Sequence, residues 1–114
     1  MDKNDETRLR HILDAVREAV AFSEGRSRSD LDKNRMLSLS LVRLLEIIGE
    51  ASRGISEEFR LAHPEIAWKK MTGMRDRLIH GYFDVNLDVV LETVTQDLPP
   101  LIAQLEKLLA SEKR

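Results

Sequence analysis

Apolar residues recur along most of the chain at the three- and four-residue spacing of amphipathic helices. In residues 5–23 they form one stripe, made of Leu9, Ile12, Leu13, Val16 and Val20. Charged residues occupy the rest of the helical wheel, so this spacing predicts a helix with one buried face. Gly and Ser then interrupt the pattern in residues 24–29, which predicts a loop, and Ser29 is expected to cap the next helix.

The second predicted helix, residues 31–53, has apolar residues around more than half of its circumference. It is therefore expected to pack on more than one side. Its polar residues form one narrow stripe, made of Arg43, Glu46, Glu50 and Arg53. Two interpretations of this stripe stay open. It is either a solvated face with ion pairs within the helix, or it lines a subunit seam or a site.

The second half of the chain predicts a short helix and two longer ones. Gly54 ends the second helix, Ser56 caps the short helix, and Pro64 ends it. A third long helix is expected over residues 65–78. Its apolar face is made of Ala67, Met71, Met74 and Leu78, with Trp68 beside it.

A last apolar stripe runs from Leu87 to the C-terminus, after a cap at Asp84 or Asn86. Pro99 and Pro100 interrupt it, which predicts a kink or a restart with Asp97 as the cap. The pattern shows no convincing alternation typical of strands. We therefore expect an all-α fold: a small antiparallel bundle of about four main helices plus short helices, in a single domain over residues 1–114.

The composition favours the same architecture and excludes several classes of protein. Of the 114 residues 42% are hydrophobic, 33% are charged and only 4% are aromatic, which argues against a disordered tail and favours helices over sheets. The chain has no Cys, so disulfide scaffolds, thiolate zinc sites and cysteine nucleophiles are excluded. An acidic N-terminus and the absence of a long apolar run predict a cytoplasmic protein with no membrane segment.

The net charge of -2 argues against a general nucleic-acid coat protein, but the charge is unevenly distributed. Residues 60–80 hold five basic side chains against two acidic ones, whereas acidic residues predominate from Gly81 onward. One local patch therefore attracts anions.

The histidines differ in their surroundings. His11 and His63 are interpreted as helix-edge or helix-end residues, and each of the three histidines has an Arg three positions before it, so no Glu-x-x-His metal motif exists. His80 instead follows Arg75 within the basic patch. An imidazole can move a proton and a guanidinium can hold a phosphate, and these two groups would suffice for metal-free RNA cleavage.

A regular helix would place Arg75 and His80 about 140° apart, too far around the axis to share a phosphate. Two solutions stay open. Either the helix ends or distorts before His80, or a second copy of the site comes from a partner chain across a two-fold axis.

The motif Arg75-x4-His80-x-Tyr82 matches the signature of the HepT-like toxins, a branch of the HEPN superfamily of all-α ribonucleases. Three further blocks, residues 45–51, 68–75 and 97–101, resemble the central helix, the lead-in and the C-terminal Leu-Pro segment of that family. The resemblance covers nearly the whole chain in the same order.

The resemblance implies a metal-independent endoribonuclease that needs no cofactor, acts as a homodimer and is the toxin of a toxin–antitoxin pair. Arg75 would bind the scissile phosphate, His80 would be the general acid/base, and Asp76 would orient them. The partner implied by the family is an MntA-type nucleotidyltransferase, which attaches AMP to the motif tyrosine, here Tyr82, and so silences the toxin.

Two other functions stay open. The chain could be a helical dimerisation or adaptor module that keeps the same shape without catalysis and binds a nucleotidyltransferase. A nucleotide could also bind directly at the basic patch.

Overall fold

The computed structural model describes residues 1–80 and 84–112, and for Ile79, His80 and Glu112 the backbone alone. The described chain is almost entirely helical, so the predicted all-α fold is confirmed. Its elements in chain order are α1 Lys3–Ser23, α2 Arg28–Lys33, α3 Arg35–Arg53, α4 Glu57–Ala62, α5 Trp68–Thr72, α6 Met74–Leu78, β1 Ile79–His80, β2 Asp84–Val85, α7 Leu87–Glu92, a π-helical turn Thr93–Asp97 and α8 Pro99–Glu112.

The core lies between the two longest helices, α1 and α3, with α8 packed against α1. The stripe predicted on α1 is buried, except that Val20 is only partly so. Several core side chains are completely inaccessible to solvent, among them Leu9, Ile12, Val16, Leu41, Leu45, Ile48 and Leu105. Each completely buried Leu or Ile contributes about 1.5–3 kcal/mol through the hydrophobic effect. Within the described residues, no helix combines the length and the apolar character that crossing a membrane requires.

The second predicted helix is divided in two, and its predicted start was wrong. Ser27, not Ser29, caps α2: the Ser27 hydroxyl accepts from the Asp30 N–H and the Ser27 N–H donates to the Asp30 carboxylate at 2.7 Å. That backbone hydrogen bond holds the pKa of Asp30 below its ordinary value. Asn34 then separates α2 from α3, because its side chain accepts from the Leu37 N–H at 3.0 Å and caps a new helix.

The third predicted helix is also divided. It begins at Trp68 rather than at residue 65, and Gly73 separates α5 from α6. The Trp68 indole donates to the His63 carbonyl at 2.9 Å, which fixes the turn after Pro64 and leaves Ala67 exposed rather than buried. The short helix α4 has its predicted cap, since the Ser56 hydroxyl accepts from the Phe59 N–H at 3.2 Å.

A two-residue antiparallel ladder, which the sequence did not predict, follows α6. Ile79 pairs with Val85 and His80 with Asp84. The Asn86 N–H donates to the Leu78 carbonyl at 2.7 Å and closes the base of this hairpin. The Asn86 side chain then caps α7 by accepting from the Val89 N–H at 3.2 Å, as predicted.

The last apolar stripe restarts at the prolines, as predicted, but with a different cap. Pro99 occupies the first position of α8 and Leu98 precedes it. Asp97 is not the cap residue; it ends the π-helical turn, and its carboxylate contacts side chains of α5 and α6.

Candidate functional site

Three consecutive charged residues of α6 contact three different places in the fold. Arg75 Nε donates to Glu46 Oε2 on α3 at 3.3 Å. Asp76 Oδ2 lies 3.4 Å from Arg53 Nη2, at the end of α3. Arg77 Nη2 lies 3.7 Å from Asp97 Oδ2, in the π-helical turn. These ion pairs, together with burial of Met74 and Leu78, fix the rotation of this five-residue helix about its axis.

The polar stripe of α3 therefore fits both interpretations that its spacing allowed. Arg53 and Glu50 form an ion pair within the helix at 3.6 Å, as on a solvated face. Glu46 and Arg53 also hold Arg75 and Asp76, which places the stripe beside the motif arginine.

Gly49 lets α5 and α6 come close to α3. A Cβ atom added at Gly49 would lie 3.4 Å from the Met71 carbonyl oxygen and 3.8 Å from that of Thr72. The backbone of α5 thus lies directly against α3, and α6 follows it immediately. This close approach brings Arg75 within reach of Glu46.

Arg75 forms part of the wall of an open groove of about 780 Å³ between α3 and the segment Val85–Leu87. The groove is lined by apolar side chains together with two basic ones, Arg35 and Arg75, and two acidic ones, Asp32 and Glu46. The Arg75 side chain is 46% exposed. Glu46 engages its Nε, and the guanidinium carries two further amino groups that can donate to an anion in the groove.

The helix ends before His80, which is the first of the two solutions open at the sequence level. Leu78 is the last residue of α6, and the His80 backbone lies on β1 opposite Asp84. Because the chain leaves the helix at this point, the 140° separation of a regular helix does not apply. The roles assigned to the His80 side chain and to Tyr82 fall outside the described residues.

The basic patch of residues 60–80 is partly neutralised by acidic residues from elsewhere in the chain. Lys70 Nζ lies 3.0 Å from Asp97 Oδ1, and Arg77 contacts the other oxygen of the same carboxylate. Counting charges along the sequence therefore overestimated the local positive charge. Arg60 and Lys69 form no ion pair with any side chain in the part of the chain that the structure describes.

His63 ends α4, as interpreted from the sequence. Its ring packs against Phe59 at a centroid distance of 4.3 Å, and its Nδ1 lies 3.4 Å from Glu65 Oε2. Across residues 1–80 and 84–112, no group of three or more His, Asp and Glu side chains is arranged to hold a metal ion.

Comparison with known proteins identifies the family. The sequence model of a family described as "Ribonuclease HepT-like" matches residues 12–108. The chain belongs to the HepT-like ribonuclease family. The resemblance recognised from the motif blocks is thereby confirmed.

Relatives that match this HepT-like chain over most of their length include three that are named as ribonucleases. A protein of Caldanaerobacter subterraneus subsp. tengcongensis named "Putative RNase TTE0752" is 41% identical over 92% of this chain and 94% of its own. "Probable ribonuclease HepT" of Thermococcus cleftensis is 38% identical over 95% and 98%. "Putative RNase MJ1380" of Methanocaldococcus jannaschii is 35% identical over 86% and 90%. No solved structure matches the chain.

Sequence reasoning assigned no role at the site to Glu46 or Arg53 individually. The signal that could have found them was the regular polar stripe on an otherwise apolar helix, which was recognised but could not be assigned to a partner. Asp97 was assigned to a helix cap, although its carboxylate serves the basic side chains of α5 and α6.

Proposed function

We propose that this HepT-like chain is a metal-independent endoribonuclease whose catalytic groups are Arg75 and His80. The observation that carries the proposal is the placement of Arg75, a half-exposed guanidinium held by Glu46 at the wall of a groove. The end of α6 at Leu78 supports it, since the chain turns away from the helix just before His80. Membership of a ribonuclease family gives the substrate class.

In the proposed reaction a ribose 2′-hydroxyl attacks the adjacent phosphorus. The bond from O2′ to phosphorus forms and the bond from phosphorus to the 5′-oxygen breaks, leaving a 2′,3′-cyclic phosphate and a 5′-hydroxyl. Arg75 binds the non-bridging oxygens and stabilises the charge that develops on them. His80 transfers the proton lost by the 2′-hydroxyl or gained by the leaving oxygen. In a homodimer, two imidazoles could divide these steps, and Asp76 would orient the motif.

The test is cleavage of total RNA by the purified protein in the presence of a chelator. We expect the wild type to cleave, and Arg75→Ala and His80→Ala to lose at least about a hundredfold in rate, as is typical when a general acid/base is removed. Arg10→Ala is the matched control, because Arg10 is a half-exposed arginine of α1 whose partner is Glu6. Cleavage that persists in His80→Ala would contradict the proposal. An inactive wild type would favour the adaptor module instead.

We also propose that a nucleotidyltransferase of the MntA type silences this ribonuclease, as the toxin of a toxin–antitoxin pair. The Tyr82 oxygen would attack the α-phosphate of ATP, forming a tyrosyl adenylate and releasing pyrophosphate. Tyr82 is the only tyrosine of the chain and lies two residues after His80. A bulky anionic group there would block the cleft and repel RNA phosphates.

This second proposal is tested by mass spectrometry after incubation with the nucleotidyltransferase and ATP. The wild type should gain one adenylate group and lose its ribonuclease activity, whereas Tyr82→Phe should gain none and stay active. Equal labelling of both proteins would show that Tyr82 is not the residue that receives AMP.

A further inference from the structure

A second basic concavity lies between α1 and α3, apart from the groove at Arg75. Its volume is about 300 Å³, and its lining is made of Arg8, His11, Arg43, Ile47, Glu50 and Ala51. Arg8 and His11 are three residues apart and so share one face of α1, while Arg43, Ile47 and Glu50 share one face of α3. Two arginines and one histidine thus line one concavity along α1 and α3.

Gly54 makes room for one of these side chains. A Cβ atom added at Gly54 would overlap Arg8 Nε and would lie 2.6 Å from Arg8 Cδ. The Arg8 side chain therefore lies across the C-terminal end of α3, in a position that any larger residue at Gly54 would disturb. The backbone of Gly54 has φ -80° and ψ -10°, which an alanine also adopts, so this substitution moves Arg8 without straining the backbone.

The concavity carries an excess of positive charge. Among the described residues, neither Arg8 nor Arg43 forms an ion pair with a carboxylate. Glu50, the acidic residue of the lining, pairs with Arg53 at 3.6 Å. The lining thus holds two arginines against one carboxylate, which is shared with Arg53, and the remaining positive charge attracts an anion. Guanidiniums hold phosphate oxygens with paired hydrogen bonds, so phosphate is the anion that this lining fits.

We propose that this concavity binds backbone phosphates of the RNA substrate beyond the one that is cleaved. Arg8 lies against Gly54, eleven residues after Arg43 and about 16.5 Å further along the axis of α3, so each arginine contacts its own phosphate. The inference rests on the proposed ribonuclease function and deepens it. Arg43 lies three residues before Glu46, about 4.5 Å along the axis of α3, and Glu46 holds Arg75. An RNA strand that crosses α3 therefore passes from Arg75 to Arg43 without leaving the surface of one helix.

The test measures binding of an RNA oligonucleotide that cannot be cleaved. A fluorescent single strand with 2′-O-methyl groups lacks the attacking hydroxyl, and its affinity is measured by anisotropy over a range of salt concentrations. The logarithm of the binding constant falls linearly with the logarithm of the salt concentration. Each lost phosphate contact reduces the magnitude of this slope by about 0.7, which corresponds to about a fivefold loss of affinity at 0.1 M salt. We expect this loss for Arg43→Ala and for Arg8→Ala, and twice the change in slope for the double variant.

Two further variants separate a direct contact from a change in net charge. Arg10→Ala removes the same charge from the exposed side of α1, and we expect it to keep the wild-type slope. Gly54→Ala keeps the net charge but displaces Arg8, and we expect weaker binding. Light scattering on each variant verifies that the molecular mass is unchanged, so that a change in slope does not report a change in assembly.

Inorganic phosphate and AMP, titrated separately, distinguish an RNA phosphate from a free one. If Arg43→Ala abolishes binding of AMP but leaves the slope for the oligonucleotide unchanged, the site takes a free phosphate and the RNA assignment is overturned. If every variant has the salt slope and the affinity of Arg10→Ala, the concavity binds no phosphate of the RNA and the proposal is overturned. The binding assay does not depend on cleavage. A protein that cleaves no RNA but shows the expected salt slopes would therefore contradict the proposed ribonuclease activity and would leave this binding site supported.

Discussion

At the scale of single residues, the most informative contact is the one between Glu46 and Arg75. The Glu46 carboxylate fixes the direction of the guanidinium but cancels part of its charge. Both side chains are partly exposed, 27% for Glu46 and 46% for Arg75, and ion pairs of this kind contribute about 0–1 kcal/mol to stability. The pair is therefore explained by the position it gives to Arg75 rather than by the stability it adds.

We predict that Glu46→Ala separates catalysis from stability. The free Arg75 side chain would sample several rotamers, so kcat for RNA cleavage should fall about tenfold, equivalent to about 1.4 kcal/mol, with little change in KM. The free energy of unfolding in urea should change by less than about 1 kcal/mol. Glu46→Gln keeps a hydrogen-bond acceptor and should recover most of the rate. An increase in KM with unchanged kcat would contradict a positioning role.

A second residue-scale prediction concerns Asp5, a buried carboxylate at the start of α1. Asp5 is 3% exposed and accepts from the Ser56 N–H at 2.8 Å and from the Ser56 hydroxyl at 2.6 Å. Asp5→Ala leaves both donors without a partner, which should lower the free energy of unfolding by about 1–3 kcal/mol. Asp5→Asn retains one acceptor oxygen and should cost less. Asp14→Ala, an exposed position on the same helix, serves as the control in urea denaturation.

At the scale of elements, local signals predicted some helices well and others poorly. Four features depend on a few neighbouring residues, and each could be predicted from sequence. They are the apolar stripe of α1, the Ser56 cap of α4, the Asn86 cap of α7 and the restart of the helix at Pro99. The breaks at Asn34 and Gly73 lie inside continuous helical patterns, and tertiary contacts decide whether such a residue interrupts a helix. The contact between Glu46 and Arg75 joins residues 29 apart in sequence, and no local spacing indicates which side chains meet across that distance.

Gly49 gives a prediction at the scale of elements, because it determines the distance between α3 and α5. A single methyl group fits at ordinary contact distance from the Met71 carbonyl, so Gly49→Ala should leave stability unchanged or raise it by up to about 1 kcal/mol through helix propensity. Gly49→Leu would push α5 and α6 away from α3, and it should lower stability by about 1–3 kcal/mol. The rate of RNA cleavage should fall in Gly49→Leu and should stay at the wild-type value in Gly49→Ala. Thermal denaturation and RNA cleavage of the two variants, measured side by side, check this, and equal behaviour would contradict the close approach.

At the scale of the whole molecule, one face of α3 carries apolar side chains that the single chain leaves uncovered. Met36 is 80% exposed and Leu39 is 54% exposed. Leu39 also lines the groove beside Arg75, so a second chain seated on this face would complete a wall of that groove. The proposed homodimer is consistent with this arrangement, since it would cover the apolar face and bring two motifs together.

We predict that the double variant Met36→Ser/Leu39→Ser is a monomer. Light scattering should give about twice 13.1 kDa for the wild type and 13.1 kDa for the variant, whose cleavage should be lost. Stability of the single chain should change little, since both side chains are exposed. Leu61→Ser is the matched control, because Leu61 is 74% exposed and belongs to a different helix, α4. A variant that keeps the mass of the wild type would place the subunit interface elsewhere.

The hydrogen bond between Asn86 and Leu78 has a consequence for how such a protein can be controlled. Leu78 is completely buried and Asn86 caps α7, so contacts outside residues 79–85 anchor both ends of that segment. Chemical change within the segment, including attachment of a bulky group, need not disturb these anchors. If Tyr82 is modified as proposed, we therefore expect the modified chain to keep its fold, so that removal of the group would restore the former state.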